Sequence, residues 1–509
     1  MSAAEDRTPP RRFNAARYCL AENARLRPDK IALVMVGEGD AVTRLTYAEA
    51  DRAIRAIAGG LSRLGLESGA RVMIRMGNEA DYVLVYFGAL AAGLVALPSS
   101  SQLTPSEAAF LMEDSAASVV VVGRDTVLDR AGDRIVLEAG DIAAMKAGDP
   151  VADYADTAAD DPATLVYTSG TSGSPKGVLH AHRAIWGRRP MHAHWLGLTE
   201  DDVMLHAGAM NWTYTLGVGI TDPWACGATA VIYNGPRERG IWAALIAAHG
   251  ATLFAAVPSV YRQILKYADL ARHDLSSLRH GVTAGEALPP DLLEAWTATT
   301  KKPLYEALGM SEISTYVSSG PTIPVRAGSP GRPQPGRRIA ILAVEGDPEA
   351  LPQGETGLLA IHRSEPGLML GYWNRPDEEA AVLRGEWFTG GDLASLDDDG
   401  YLWFHGRNDD LMNAMGYRVS PNEVEAVLAG HPAIADVGVT ELAVRADVRV
   451  IAAFVVRQPG VEPDAGALIA WCAERLAAYK CPREIRFLDA LPRTANGKVQ
   501  RKRLAETQS

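Results

Sequence analysis

A large multi-subdomain α/β domain followed by a small α+β domain is the architecture this sequence predicts, and three observations predict it. The chain has 509 residues, too many for one ordinary core, and its 47% hydrophobic and 22% charged residues are the composition of a globular chain rather than a disordered one. Units of amphipathic helix, glycine-containing turn and short apolar strand recur up to about residue 400. Near Gly400 the texture changes: the stretch DDDGYLWFHGRNDDLMNAMGYRVSPNEVEAVL packs turn residues, charges and glycines between two apolar segments, as domain junctions do.

Taken in order, Leu45 to Met76 (LTYAEADRAIRAIAGGLSRLGLESGARVMIRM) reads as a helix, a turn and a strand. The longest apolar run, Tyr82 to Leu97, lies between Asp81 and Pro98. It is shorter than the roughly 20 residues of a membrane span and reads as a buried helix running into a strand. Ser118 to Val122, Ala228 to Tyr233 and Leu253 to Val257 are further short buried strands, each after a helix or turn signal. After the junction come a helix (Asn422 to Ala429), strands (Ile434 to Val439 and Val450 to Val456), a helix (Ala465 to Ala478) and a basic tail.

Several function classes are set aside by composition. With 62 acidic and 50 basic residues the net charge is -12, which argues against a nucleic-acid binder but leaves room for a local basic nucleotide pocket. The N-terminus MSAAEDRTPPRRFNAARYCL has no apolar signal region, so the cytoplasm is the expected location, with no membrane partner. Cys19, Cys226, Cys472 and Cys481 show neither CxxC nor His-rich spacing, so neither a zinc site nor a disulfide framework is expected.

The segment Tyr167 to Gly177 (YTSGTSGSPKG) has the composition of a phosphate cradle. Small and hydroxyl residues let backbone N–H groups approach an anion, and Lys176 adds a positive charge. It is not a Walker A loop, because no Gly-Lys-Ser/Thr follows Gly170 and Gly173. Taken alone, the same residues also suit an ordinary Gly/Ser surface loop.

This loop resembles the signature of the adenylate-forming (acyl-CoA synthetase, AMP-binding) superfamily. The resemblance covers nearly the whole chain, in family order: the Leu45 unit, the loop itself, AGEALP (Ala284 to Pro289), EALGMSE (Glu306 to Glu312), WFTGGDL (Trp387 to Leu393), Gly406 to Glu425, YKCP (Tyr479 to Pro482) and PRTANGK (Pro492 to Lys498). One such motif is weak, and eight in sequence are strong. The stretch Ala209 to Ala228 is closest to the acetyl- and medium-chain acyl-CoA synthetase branches, from which it departs at Asn211.

The resemblance implies an N-terminal AMP- and acid-binding domain, residues 1–408, and a mobile C-terminal lid, residues 409–509. Thr168, Ser169, Gly170, Thr171, Ser172 and Lys176 would bind the ATP phosphates, with Thr171 and Glu312 on Mg2+ and Ser311 on the α-phosphate. A hard cation with phosphate oxygens and a carboxylate is what Mg2+ prefers. Gly285, Glu286, Ala287, Glu306 and Leu308 would line the adenine, and Asp392 and Arg407 would hold the ribose. Asp409 matches the hinge, and Gly416 matches the glycine that faces the pantetheine of coenzyme A. Lys498 matches the catalytic lysine, whose charge would neutralise the approach of carboxylate to phosphate. By the same resemblance, a lysine acetyltransferase acting on Lys498 would remove that charge and silence the first step.

Trp212, Thr213, Thr215, Ala284 and Gly309 are the candidate acid-pocket residues. Acetyl-CoA synthetases carry a tryptophan where this chain has Gly309, so a deeper pocket and a medium-sized monocarboxylic acid are expected, whether medium-chain, branched or aromatic. The implied activity is that of an acid–thiol ligase: ATP, the acid and coenzyme A give acyl-CoA, AMP and pyrophosphate. Three alternatives stay open at this point: a stand-alone adenylation enzyme loading a carrier-protein thiol, an oxidative, luciferase-like use of the adenylate, and an inactive nucleotide-binding scaffold. The intact set Lys176, Glu312, Asp392, Arg407 and Lys498 argues against the scaffold.

Overall fold

A computed structural model describes residues 8–124, 126–128, 130–168, 175–236, 238–407, 412–414, 417–419, 421–445, 448–492, 499 and 501–506. The chain divides into two compact units, one of residues 1–101, 115–166 and 178–406, the other of residues 102–114, 167–177 and 407–509.

The larger unit is built on layered sheets. In the seven-stranded sheet the strands run in the order Gly371–Tyr372, Lys176–Ala181, Pro162–Thr168, Val95–Ser100, Arg71–Met76, Val119–Val122 and Ile135–Leu137. The pairs joining Pro162–Thr168, Val95–Ser100, Arg71–Met76, Val119–Val122 and Ile135–Leu137 are parallel, and Gly371–Tyr372 is antiparallel to its neighbour. A nine-stranded sheet carries Leu304–Met310, His280–Ala284, Leu253–Ala255, Val203–His206, Thr229–Tyr233 and Ile31–Val36 as parallel neighbours, with antiparallel strands added at both ends. Parallel strands are covered on both faces, which is why they read as unbroken apolar runs such as VVVV at 119–122. A third sheet holds Ile339–Leu342, Gly357–His362 and Trp387–Leu396.

The helices follow from local signals. Tyr47–Ser62 begins with a capping box: Thr46 accepts from the Glu49 N–H while the Glu49 carboxylate accepts from the Thr46 N–H. Its Ala50, Ile54, Ile57 and Leu61 face the core at helical spacing. The apolar run expected to be helix then strand is helix Ala80–Ala91 followed by strand Val95–Ser100, and every helix residue from Tyr82 to Ala91 is buried. A second core is aromatic: Trp242, Phe254, Tyr261 and Trp296 stand in series with ring centroids 5.9, 5.4 and 4.8 Å apart.

In the smaller unit, strands Ile434–Arg445, Val448–Arg457 and Glu484–Leu488 form a sheet, with helices Pro421–Ala429, Ala465–Ala473 and Arg501–Glu506. The helix expected to reach Ala478 stops at Ala473. The turn that follows buries Lys480, whose Nζ lies 2.6 Å from Glu423 and 3.3 Å from Glu107. Burial disfavours its charge, but Tyr479, Glu423 and Glu107 outweigh that effect and hold Lys480 protonated. No helix among the described residues is long and apolar enough to cross a membrane.

Candidate functional site

In open α/β sheets, ligands are met at the carboxyl ends of strands. Three predicted motifs stand at such ends. The phosphate loop follows strand Pro162–Thr168 and leads into strand Lys176–Ala181, so Thr168 and Lys176 are its two roots. At the first root the Tyr167 hydroxyl donates to Asp114 at 2.7 Å. Ser169, Gly170, Thr171 and Ser172 lie outside the described residues, as do Asp409, Gly416 and Lys498. Arg407 is the last residue of strand Leu402–Arg407.

The AGEALP motif follows strand His280–Ala284. Gly285 has φ +91°, a left-handed conformation that favours glycine, and a Cβ there would stand 3.5 Å from the Trp212 ring. Trp212 therefore lines the start of this turn. Glu286 is half-buried, Ala287 exposed and Ala284 buried. Glu306, one strand over, accepts the Leu288 N–H at 3.0 Å and so ties the turn to strand Leu304–Met310. Glu306 is buried, 9% exposed as a residue, and burial pushes its pKa up to about 7, against the smaller opposite effect of the Leu288 N–H.

The third motif is the turn after Leu304–Met310. That strand pairs antiparallel with Ser314–Ser318, and the register slips between Leu308 and Gly309. A Cβ at Gly309 would meet the Ser314 carbonyl oxygen at 2.5 Å and the Thr315 Cα at 2.7 Å, so backbone contact requires a glycine here whatever the depth of the pocket. In the turn, the Ser311 carbonyl accepts from His180 Nε2 at 2.8 Å, and Glu312 Oε1 accepts from the Tyr372 hydroxyl at 2.8 Å. Ser314 has φ +80°, a conformation that costs a non-glycine residue about 1–3 kcal/mol. Asp392, in strand Trp387–Leu396, is fully buried.

Beside the turn lies a cavity of about 90 Å3 within the larger unit. Ala163, Val166, Ile185, Leu216, Met310 and Ile313 give it an apolar wall, and Thr213, Ser311, His180 and Arg188 are among its polar residues. Thr213 and Ser311 are thus brought to one cavity. Trp212, Thr215, Ala284 and Gly309 are not on that wall, and Thr215 is buried completely.

Two groups on this cavity carry no motif. Arg188 donates Nε and Nη2 to the two Asp222 oxygens, each at 2.7 Å, and Nη1 to the hydroxyl of Ser314. His192 Nε2 stands 3.0 Å from Asp222, and Cys226 Sγ 3.3 Å from His192 Nδ1. Burial opposes charge on both Asp222 and His192, yet Arg188 and His192 push the Asp222 pKa down to about 2, while Cys226 and Asp222 push that of His192 up to about 10. The second group is His180. Burial lowers its pKa to about 4, and with Nε2–H donated to Ser311, Nδ1 is the bare acceptor. No local pattern in the segment WGRRP marks Arg188. Strand alternation could have found His180, which lies four residues after Lys176 on the same strand face.

Among the described residues no three His, Cys, Asp or Glu side chains cluster as a metal site. Glu312 supplies a single hard carboxylate whose Oε1 is steadied by Tyr372. That donor set fits a Mg2+ ion completed by phosphate oxygens and water, rather than an all-protein cage.

Residues 20–373 match the AMP-binding enzyme family, and residues 423–498 match the AMP-binding enzyme C-terminal domain. The chain is 31% identical to the 3-hydroxybenzoate–CoA ligase of Aromatoleum sp. (strain CIB), over 91% of each chain. It is 31% identical to the acetyl-coenzyme A synthetase of Bacillus subtilis (strain 168), covering 96% of this chain and 90% of that one. The structure superposes on a double mutant of the o-succinylbenzoate CoA synthetase from Bacillus subtilis with a TM-score of 0.86 at 28% identity, covering 96% of this chain and 98% of that one.

Proposed function

The chain belongs to the AMP-binding enzyme family, and from that premise we propose that it is a cytoplasmic, ATP-dependent acid–CoA ligase acting on a medium-sized monocarboxylic acid. The acid is adenylated with release of pyrophosphate, and the acyl group then passes to the thiol of coenzyme A with release of AMP. The observation that carries this reading is that the cavity wall includes both Thr213 and Ser311, the latter directly before Glu312. An acid body lodged there has its carboxylate beside the residues assigned to the α-phosphate and to Mg2+. The mostly apolar wall suits a medium-chain, branched or aromatic acid better than acetate.

In this reading Ser311 hydrogen-bonds the α-phosphate, and Glu312, aligned by Tyr372, ligates Mg2+. Thr168 to Ser172 and Lys176 hold the β- and γ-phosphates, with Thr171 also on the metal. Gly285, Glu286, Ala287, Glu306 and Leu308 line the adenine, and Asp392 and Arg407 hold the ribose. Trp212, Thr215, Ala284 and Gly309 shape the pocket beyond Thr213. Bound Mg2+ supplies charge neutralisation at the phosphates. Lys498 steadies the carboxylate as it approaches phosphorus, and rotation of residues 409–509 about Asp409 then withdraws it and presents Gly416 to the pantetheine. Acetylation of Lys498 would block the first step alone.

The test is pyrophosphate release across an acid panel with and without coenzyme A, with acyl-CoA detected by mass. Lys498→Ala is expected to abolish pyrophosphate release but to leave thioester formation from supplied acyl-adenylate largely intact. Equal loss of both half-reactions would remove the role given to Lys498. Transfer to a carrier protein in place of coenzyme A would replace the ligase reading with that of an adenylation enzyme.

A further inference from the structure

The polar groups around the cavity are mostly committed to the protein itself. The Tyr86 hydroxyl and Thr164 Oγ1 share a hydrogen bond of 3.0 Å, and Thr221 Oγ1 donates to the Leu216 carbonyl at 2.9 Å. Arg188 is engaged by Asp222 and Ser314. His180 differs. Its Nε2–H is given to Ser311, which leaves Nδ1 as a lone-pair acceptor, and that atom is buried with no protein partner on a residue of the cavity wall. A buried acceptor without a donor is unfavourable, and a donor that reaches Nδ1 from the adjoining cavity would satisfy it.

We propose that the acid substrate carries a hydrogen-bond donor, a hydroxyl or amino group, on an apolar body, and that His180 Nδ1 recognises this donor. The inference rests on the acid–CoA ligase reading and narrows its substrate class. An apolar wall with one fixed acceptor discriminates by the mismatch it imposes. A methyl group in place of the hydroxyl fills the same space and leaves Nδ1 dry and unpaired, whereas the hydroxyl satisfies it. Because Nε2–H is held by the Ser311 carbonyl, the ring cannot turn its donor to the cavity without losing that bond. His180 is therefore a specificity residue rather than a catalytic one.

The experiment compares isosteric pairs on the full chain: 2-, 3- and 4-hydroxybenzoate against the matching methylbenzoates, and 6-hydroxyhexanoate against heptanoate. kcat/KM is read from pyrophosphate release, and binding of the bare acids from calorimetric titration. At least one hydroxyl acid is expected to exceed its methyl partner by about tenfold in both readouts, the scale of one buried hydrogen bond. His180→Leu is expected to bring that ratio to one or below, and His180→Gln, which keeps an acceptor, to restore part of it. A merely structural role for His180 would lower both members of a pair together and leave the ratio unmoved.

Turnover without hydroxyl preference overturns the proposal and leaves the ligase reading standing. Hydroxyl-selective binding without turnover of any acid supports the proposal and overturns the ligase reading. Absence of both binding and turnover overturns both. If His180→Leu does not fold, as judged by its melting transition, the wild-type ratios alone decide.

Discussion

Asp222 and Glu306 are both buried carboxylates of the larger unit, one behind the cavity and the other beneath the turn that follows strand His280–Ala284, and their surroundings drive them in opposite directions. Asp222 has the Arg188 guanidinium on both oxygens and His192 on one, and its pKa falls to about 2. Glu306 has the Leu288 N–H, and its pKa rises to about 7. Burial penalises charge in both places, so what separates them is the number of charged partners. A carboxylate with two cations is a strut that keeps Arg188 against Ser314. One with a single N–H has no cation to offset its burial and changes charge near neutral pH.

The largest effect expected from breaking this contrast is at the strut. Asp222→Ala leaves Arg188 and His192 buried without their carboxylate and is expected to cost about 3–5 kcal/mol, read as a lowered melting temperature of the full chain. A shift within error of wild type would show that the strut holds nothing. The stability Asp222 contributes is fully present above its unfolded value of 3.8 and is lost as pH falls from there through about 2.

Glu306 has the opposite sign. Its folded pKa lies above the unfolded 4.5, so it costs stability as pH rises from about 4.5 to about 7, and the full cost is present above that. Glu306→Gln is expected to raise stability at pH 8 by at most about 3 kcal/mol and to flatten the melting profile between pH 5 and pH 7. Weaker binding of ATP by the same variant would support its place at the adenine. An unchanged profile would mean that Glu306 is charged or partnered in solution.

Gly309→Ala sharpens the question of pocket depth. Its Cβ would press on the Ser314 and Thr315 backbone, with a cost of about 1–3 kcal/mol and a shifted Ser314. A variant as stable as wild type would return the position to the simpler role of a pocket opening. Tyr372→Phe is the mildest change, since it removes one hydrogen bond to Glu312 worth about 1 kcal/mol. The expected readout is a rise of about fivefold in the Mg2+ concentration for half-maximal activity, with little change in melting.

Much of the fold was legible because its signals are local. Thr46 and Glu49 announce a helix start, the run from Tyr82 to Leu97 contains a helix too apolar for any surface, and VVVV at 119–122 is a covered strand. The apolar pattern extends the last long helix to Ala478, whereas it ends at Ala473 and the turn beyond takes Lys480 inward to Glu423 and Glu107, partners distant along the chain. Within the candidate site, motifs located the strand ends that carry Gly285, Ser311 and Glu312. They did not locate Arg188 or His180.

By itself, then, the sequence determined the order of helices and strands, the turns that need glycine, and the family whose chemistry those turns serve, because each is written in residues that are near neighbours along the chain. Tertiary structure alone decided that Arg188 is clamped by Asp222, that Gly309 answers to the Ser314 backbone, and that His180, on a cavity wall, keeps a buried nitrogen without a protein partner. Charge state, close approach and unmet hydrogen-bonding capacity depend on which distant segments exclude water from a group. That is a property of packing in space, which spacing along the chain does not encode.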